Sequence, residues 1–195
     1  MDRCRDVAWS WGCGRSSVAD VTWLRLAVAH GAVLLHVAIL GAQVPARTPD
    51  NAPRADLRWS VQSLRGVTQT LEPFRGRVMI INAWATWCEP CVAELRSFAA
   101  LRALVPDTSL VFVLVAAQRR EPVVEFVRRR RLTLPVYLEA TPAPPGYRFD
   151  AVPTTWIIDR AGRIAWQHRG AMRWDTEAVR TLLTTLLAAP APPPP

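Results

Sequence analysis

The run Val78-Met79-Ile80-Ile81-Asn82-Ala83-Trp84, followed closely by Trp87-Cys88-Glu89-Pro90-Cys91, constrains this chain more than any other feature. The first segment has the length and apolar composition of a buried strand. After the second, Val92 to Leu101 carries apolar residues at helical spacing. Two cysteines three apart at a strand-to-helix junction can close a small disulfide ring. The first then sits where unpaired helix N–H groups and the dipole favour a thiolate. That is redox chemistry, unless the two thiols are ligands for a metal.

A structural zinc site wants four ligands, usually as two close pairs. The other cysteines are Cys4 and Cys13, far upstream; the histidines are His30, His36 and His168. No second pair completes a tetrahedron, which favours a dithiol/disulfide couple that needs neither metal nor organic cofactor. A bond meant only to staple a fold gains little from so small a ring. This one is there to be made and broken.

The N-terminal third speaks to compartment. Leu26 to Ala46 is a stretch of 21 residues without a charged side chain, bounded by Arg25 and Arg47. At ~1.5 Å rise per residue, about 20 residues cross a bilayer core. Residues 26–46 read as a transmembrane signal anchor; a signal peptide cleaved after Val44-Pro45-Ala46 is the alternative, for which the apolar stretch is long. Arg3, Arg5, Arg15 and Arg25 place residues 1–25 in the cytoplasm as a leader. The remainder then lies in the periplasm or extracytoplasmic space, as a single-pass protein of the cell membrane. Cys4 and Cys13 would stay in the reducing cytoplasm as free thiols. His30 and His36 are about 600° of helical rotation apart and read as tolerated polar residues.

About 140 residues remain, enough for one domain with a core. The net charge of +8 invites a nucleic-acid partner, but all 24 basic residues are arginine and none is lysine, a bias that reads as GC-rich coding. The one basic cluster, Arg128 to Arg131, reads as a solvated helix end, where cations oppose the negative dipole terminus. No nucleic-acid partner is expected.

Residues 47–56, rich in proline and charge, read as a linker to a domain over 57–189, and residues 190–195 as a Pro-rich extended tail. Within the domain, strands are expected near 57–61, 67–71, 78–83, 110–116, 134–139, 154–159 and 164–168. Helices are expected from the Cys91 segment to about Val105, over 121–131 and over 176–188. The order predicts an α/β domain, a central mixed sheet covered by helices on both sides.

Ile81-Asn82-Ala83-Trp84-Ala85-Thr86-Trp87-Cys88-Glu89-Pro90-Cys91-Val92-Ala93-Glu94-Leu95 resembles the active-site segment of the TlpA/ResA-like proteins. These are membrane-anchored thiol–disulfide oxidoreductases of thioredoxin fold. Val152-Pro153-Thr154-Thr155-Trp156-Ile157-Ile158-Asp159-Arg160-Ala161-Gly162 resembles the family's cis-proline loop, strand and turn. The helix and strand around residues 121–139 stand where that family adds an element to the basic fold. The match covers about residues 67–188, in the same order throughout.

The resemblance implies roles. Cys88 would be the exposed nucleophile that attacks a client disulfide, and Cys91 the resolving thiol. Pro153 would be cis against the disulfide, leaving the Val152 backbone to pair with an extended client segment. Trp87 would shield the disulfide and contact clients, with Trp84 packed nearby. Glu89, between the cysteines, would be exposed. Ordinary thioredoxins carry a buried aspartate six residues before the first cysteine; Asn82 stands there. Glu94, on the same helical side as Cys91, is similar to an acidic residue that ResA-like proteins keep near the pair. It would take and return the Cys91 proton; the other reading is a solvated helix glutamate. A carboxylate there raises thiol pKa values and makes the couple more reducing.

Two departures touch the client-facing surface. Arg96 and Ser97 replace the proline usual soon after the glutamate, and Phe149-Asp150-Ala151-Val152 replaces the usual Val-Xaa-Gly approach. Spacing sets aside a peroxiredoxin, which would have threonine where Ala85 stands, and a Sco-like copper carrier, which would put three residues between its cysteines. The expected activity is reduction of disulfides in exported client proteins, of the cytochrome c maturation or copper-site assembly type, with electrons from a membrane thiol carrier. The alternatives are a non-catalytic membrane-anchored thioredoxin-fold binding module and an oxidising disulfide donor.

Overall fold

The structure, a computed structural model, describes residues 44–191. The leader with Cys4 and Cys13, His30 and His36, nearly all of the apolar segment 26–46, and residues 192–195 lie outside the described residues. Among the described residues, no helix is long and apolar enough to cross a membrane.

The elements run β1 (Ser60–Ser63), β2 (Thr68–Thr70), β3 (Val78–Trp84), α1 (Glu89–Leu104), β4 (Leu110–Ala116), α2 (Arg120–Arg130), β5 (Val136–Glu139), β6 (Thr154–Ile158), β7 (Ile164–Arg169) and α3 (Glu177–Ala188). They build one sheet in the order β2-β1-β5-β4-β3-β6-β7. β3, β4 and β5 are parallel neighbours; β6 returns antiparallel beside β3, and β7 beside β6. This is the thioredoxin arrangement, with α2 and β5 as the added pair. β3 and β4 are buried at every position, which is why both read as unbroken apolar runs rather than alternating ones.

The helices differ from expectation: all three pack on one face of the sheet. Ile80, Phe112 and Leu114 meet Leu95, Phe98 and Leu101 of α1, Val123 and Phe126 of α2, and Leu182 and Leu186 of α3. The opposite face, with Met79, Ile81, Val111 and Val113, is covered by Leu57, Trp59, Tyr147 and neighbours, none from an α-helix. The reason is topological and chemical. From β3 to β4 to β5 the chain steps in one direction, so two right-handed crossovers place α1 and α2 on the same side. The β5–β6 connection carries Pro142, Pro144 and Pro145, which cannot sit inside a helix, and it forms only the 3₁₀ turn Pro145–Tyr147. Tyr147 seals that face by stacking on Trp59, ring centres 5.2 Å apart, with Trp156 edge-on at 5.9 Å.

Residues 47–56, expected as a linker, lie on the domain. Ala55 N–H donates to the Gly162 carbonyl at 2.9 Å, Ile164 N–H donates to Pro53 at 2.8 Å, and Arg54 bridges Arg163. A proline-rich segment is extended already, so it pairs along an edge at little entropic cost. The basic cluster caps α2. Arg128 and Arg129 reach Glu125 at 2.8 and 3.5 Å, Arg130 lies over Phe126, and Arg131 takes the left-handed cap conformation at φ 49°.

Candidate active site at the strand-to-helix junction

β3 delivers the chain to the site on a fully buried strand, and the loop that follows is pinned. Ala117 N–H donates to the Trp84 carbonyl at 2.8 Å, and Thr86 N–H donates to Gln118 Oε1 at 2.8 Å. Cys88 is therefore presented as the N-cap of α1, with Pro90 in the first turn, where its missing N–H is no loss. Cys88 and Cys91 form a disulfide with Cα atoms 5.2 Å apart. The Cys91 N–H donates to Cys88 Sγ at 3.2 Å, so a thiolate at Cys88 has a backbone donor and the positive helix end beside it.

Cys88 is less exposed than its expected role as an exposed nucleophile implied: it is 6% exposed and Cys91 1%. The Val152 carbonyl oxygen covers Cys88 Sγ at 3.7 Å. In the disulfide this is a contact, since sulfur has no hydrogen to give; a Cys88 thiol at the same place could donate to it. Cys88 remains the more accessible of the two. The Val152–Pro153 peptide is cis, Pro153 is buried, and its carbonyl accepts from Gly170 N–H at 2.9 Å.

Trp87 stands in solvent at 71% exposure beside Cys88 instead of shielding the disulfide. Large exposed aromatic surface next to a reactive pair is the anatomy of a contact site. Trp87→Ala is expected to slow reduction of insulin about tenfold, the loss typical of truncating one aromatic anchor. It should leave the rate with hydroxyethyl disulfide unchanged. Equal slowing of both would remove Trp87 from partner contact. Glu89 is exposed, as expected.

Glu94 is no solvated glutamate. It is 2% exposed and lines a cleft of about 440 Å³ with Pro90, Ala93, Met172 and Arg173. Its Oε1 accepts from Met172 N–H at 2.8 Å and from Trp174 Nε1–H at 2.9 Å, and Oε2 has no protein partner. Burial pushes its pKa up from 4.5 to about 7, against the opposing pull of Met172, Trp174 and the Asn82 amide. Asn82, itself buried, donates from Nδ2 to Thr155 Oγ1 at 2.9 Å. The arrangement brings together a disulfide, a helix N-terminus and, one turn along α1, a carboxyl poised to change charge near neutral pH.

Sequence reasoning missed Trp174 and Met172. The signal for Trp174 was a tryptophan in a short polar connection before the last helix: a buried indole N–H needs an acceptor. Among the described residues, no group of three histidine, cysteine or acidic side chains comes together in a way that could hold a metal.

Residues 41–186 match the family model described as Redoxin. The chain is 30% identical to the thioredoxin-like protein YneN of Bacillus subtilis over 117 residues, covering 58% of this chain and 69% of that protein. It is also 30% identical to the thiol-disulfide oxidoreductase ResA of Oceanobacillus iheyensis over 131 residues, covering 66% and 68%. In fold it is similar to a thiol:disulfide interchange protein of the thioredoxin family from Chlorobium tepidum. There the TM-score is 0.60 at 22% identity, over 72% of this chain and all of that one.

Proposed function

The chain belongs to the Redoxin family and is a TlpA/ResA-like thiol–disulfide oxidoreductase of thioredoxin fold, and from that premise we propose that it reduces client disulfides outside the cytoplasmic membrane, tethered by residues 26–46. The observation that carries the chemistry is Cys88 at the N-cap of α1, receiving the Cys91 N–H and bonded to Cys91. In the reduced protein the Cys88 thiolate attacks one client sulfur. The client bond breaks, and its other sulfur leaves and takes up a proton. Cys91 then loses its proton to Glu94 and attacks Cys88 Sγ, which breaks the mixed disulfide. The client has gained two electrons and the pair has lost them, so a membrane thiol carrier must restore the dithiol. Trp87 and the backbone at Val152 and Pro153 supply the client-contacting surface.

The direction follows from Glu94. A buried carboxyl one turn along α1 from Cys91 disfavours further negative charge there, destabilises the thiolate and so favours the disulfide form, which makes the couple reducing. The clients are cysteine pairs destined for haem attachment in cytochrome c or for a copper site, after the TlpA/ResA-like resemblance. The test is the reduction potential of the full chain, equilibrated with thiol buffers and read by tryptophan fluorescence. A value near the thioredoxin end, about −270 mV, is expected. One near about −120 mV would instead make the protein a disulfide donor and end the reductant reading.

A further inference from the structure

Met172 and Trp174 both bring their N–H groups to the same oxygen of Glu94, at 2.8 and 2.9 Å. An oxygen that receives two N–H donors cannot also carry the acid proton without setting three hydrogens against one another. Oε1 is thus held as an acceptor whether Glu94 is charged or neutral. Oε2 accepts no hydrogen bond from the protein, although the Asn82 amide is near enough to weigh on the carboxyl, so Oε2 is the oxygen left to hold the proton.

We infer that Trp174 is a positioning residue for thiol–disulfide exchange: it locks the Glu94 carboxyl so that the Cys91 proton is taken and returned through Oε2 alone. The inference rests on the reading of Glu94 as the proton acceptor for Cys91.

The indole is rigid enough to do this because α1 itself holds it at three places. It stacks on Phe98, ring centres 5.0 Å apart at 15°. Its backbone N–H donates to Ser97 Oγ at 3.1 Å, and the Ser97 hydroxyl donates to the Glu94 carbonyl at 2.8 Å. The third hold is the bond to Glu94. Movement of the carboxyl relative to the cysteines therefore requires the whole β7–α3 connection to move with it.

The charged and titratable groups around the carboxyl leave it the group that titrates near neutrality. Asn82 on β3 offers a neutral amide. Arg173 and Asp175 at the cleft mouth pair with each other at 2.7 Å, and Arg96 lines the same cleft. His168 on β7 lies 6.0 Å from Trp174, edge to face, and burial lowers its pKa. Cys91 is the remaining group once the pair is reduced.

Trp174→Phe keeps an aromatic ring against Phe98, removes the indole donor and leaves a smaller side chain. A carboxylate that loses a hydrogen bond is harder to ionise. The pH midpoint for resolution of a Cys88 mixed disulfide, measured with the full chain, is expected to rise by about one pH unit. In a Glu94→Gln background the same change should have no effect on the profile. An unchanged midpoint in Trp174→Phe, alongside a changed profile in Glu94→Gln, overturns the positioning role while leaving Glu94 in place. A Glu94→Gln profile identical to wild type overturns the Glu94 reading, and the inference with it. Nitrogen-15 NMR of the intact protein needs no change at Trp174. Its indole N–H resonance should titrate with the resolution midpoint in wild type and stay flat in Glu94→Gln; a flat wild-type resonance overturns the proposal.

Discussion

Replacing Cys91 by serine is expected to leave a protein that attacks disulfides and cannot let go of them. Cys88 carries every feature of the attacking group: it is the helix N-cap, its Sγ receives a backbone N–H, and it is the more exposed residue of the pair. The Cys91 side chain lies deeper, in position to attack Cys88 from inside. Without it, the mixed disulfide with a client has no internal route to resolution and must wait for an external thiol. Incubated with reduced-then-reoxidised client extract or with insulin, Cys91→Ser should accumulate covalent adducts seen on non-reducing gels and lost on adding dithiothreitol. Cys88→Ser should form none and reduce insulin no faster than the buffer thiol alone. Equal trapping by both variants would exchange or erase the assigned roles.

The second large effect concerns stability. Glu94 is raised from 4.5 to about 7 in the folded protein, chiefly by burial. The folded state therefore binds this proton more tightly than the unfolded chain, so stability is greatest at low pH and falls as pH rises from about 4.5 through about 7. At about 1.4 kcal/mol per pH unit, the difference amounts to roughly 3 kcal/mol once the carboxyl is fully ionised. Glu94→Gln removes the titration while its amide oxygen keeps an acceptor for Met172 and Trp174. Urea unfolding of the oxidised proteins should show the variant gaining on wild type by about that amount between pH 5 and pH 8. A difference that stays constant over this window would mean that water reaches Oε2 and holds the carboxyl at an ordinary value.

Much of this was readable from local pattern. β3 and β4 show themselves because a strand buried on both faces has no polar face to alternate with. The cysteine pair and Pro153 show themselves because the residues around them are as particular as the motifs. Glu94 could be placed only halfway: helical spacing puts it on the side of Cys91, but what covers that side comes from residues 78 and 80 positions later in the chain. The same limit hid the one-sided arrangement of the helices. Periodicity states that a helix has an apolar face, while the handedness of crossovers and the prolines of the β5–β6 connection decide which side of the sheet receives it. Residues 47–56 read as a linker because proline and charge mark a solvated linker and a paired edge alike, and only the pairing of residues 53–55 with the β6–β7 turn tells the two apart.

That paired segment fastens one end of the sheet. Pro53, Arg54 and Ala55 are fastened to the turn after Ile158, whereas the cis peptide and the cysteines stand before Thr154, at the other end of β6. Five residues of strand separate the two, about 16 Å along the sheet. The pinned segment and the disulfide therefore stand at opposite ends of β6. Backbone pairing at one end of the strand leaves the other end, with Cys88 and Trp87, clear of that segment.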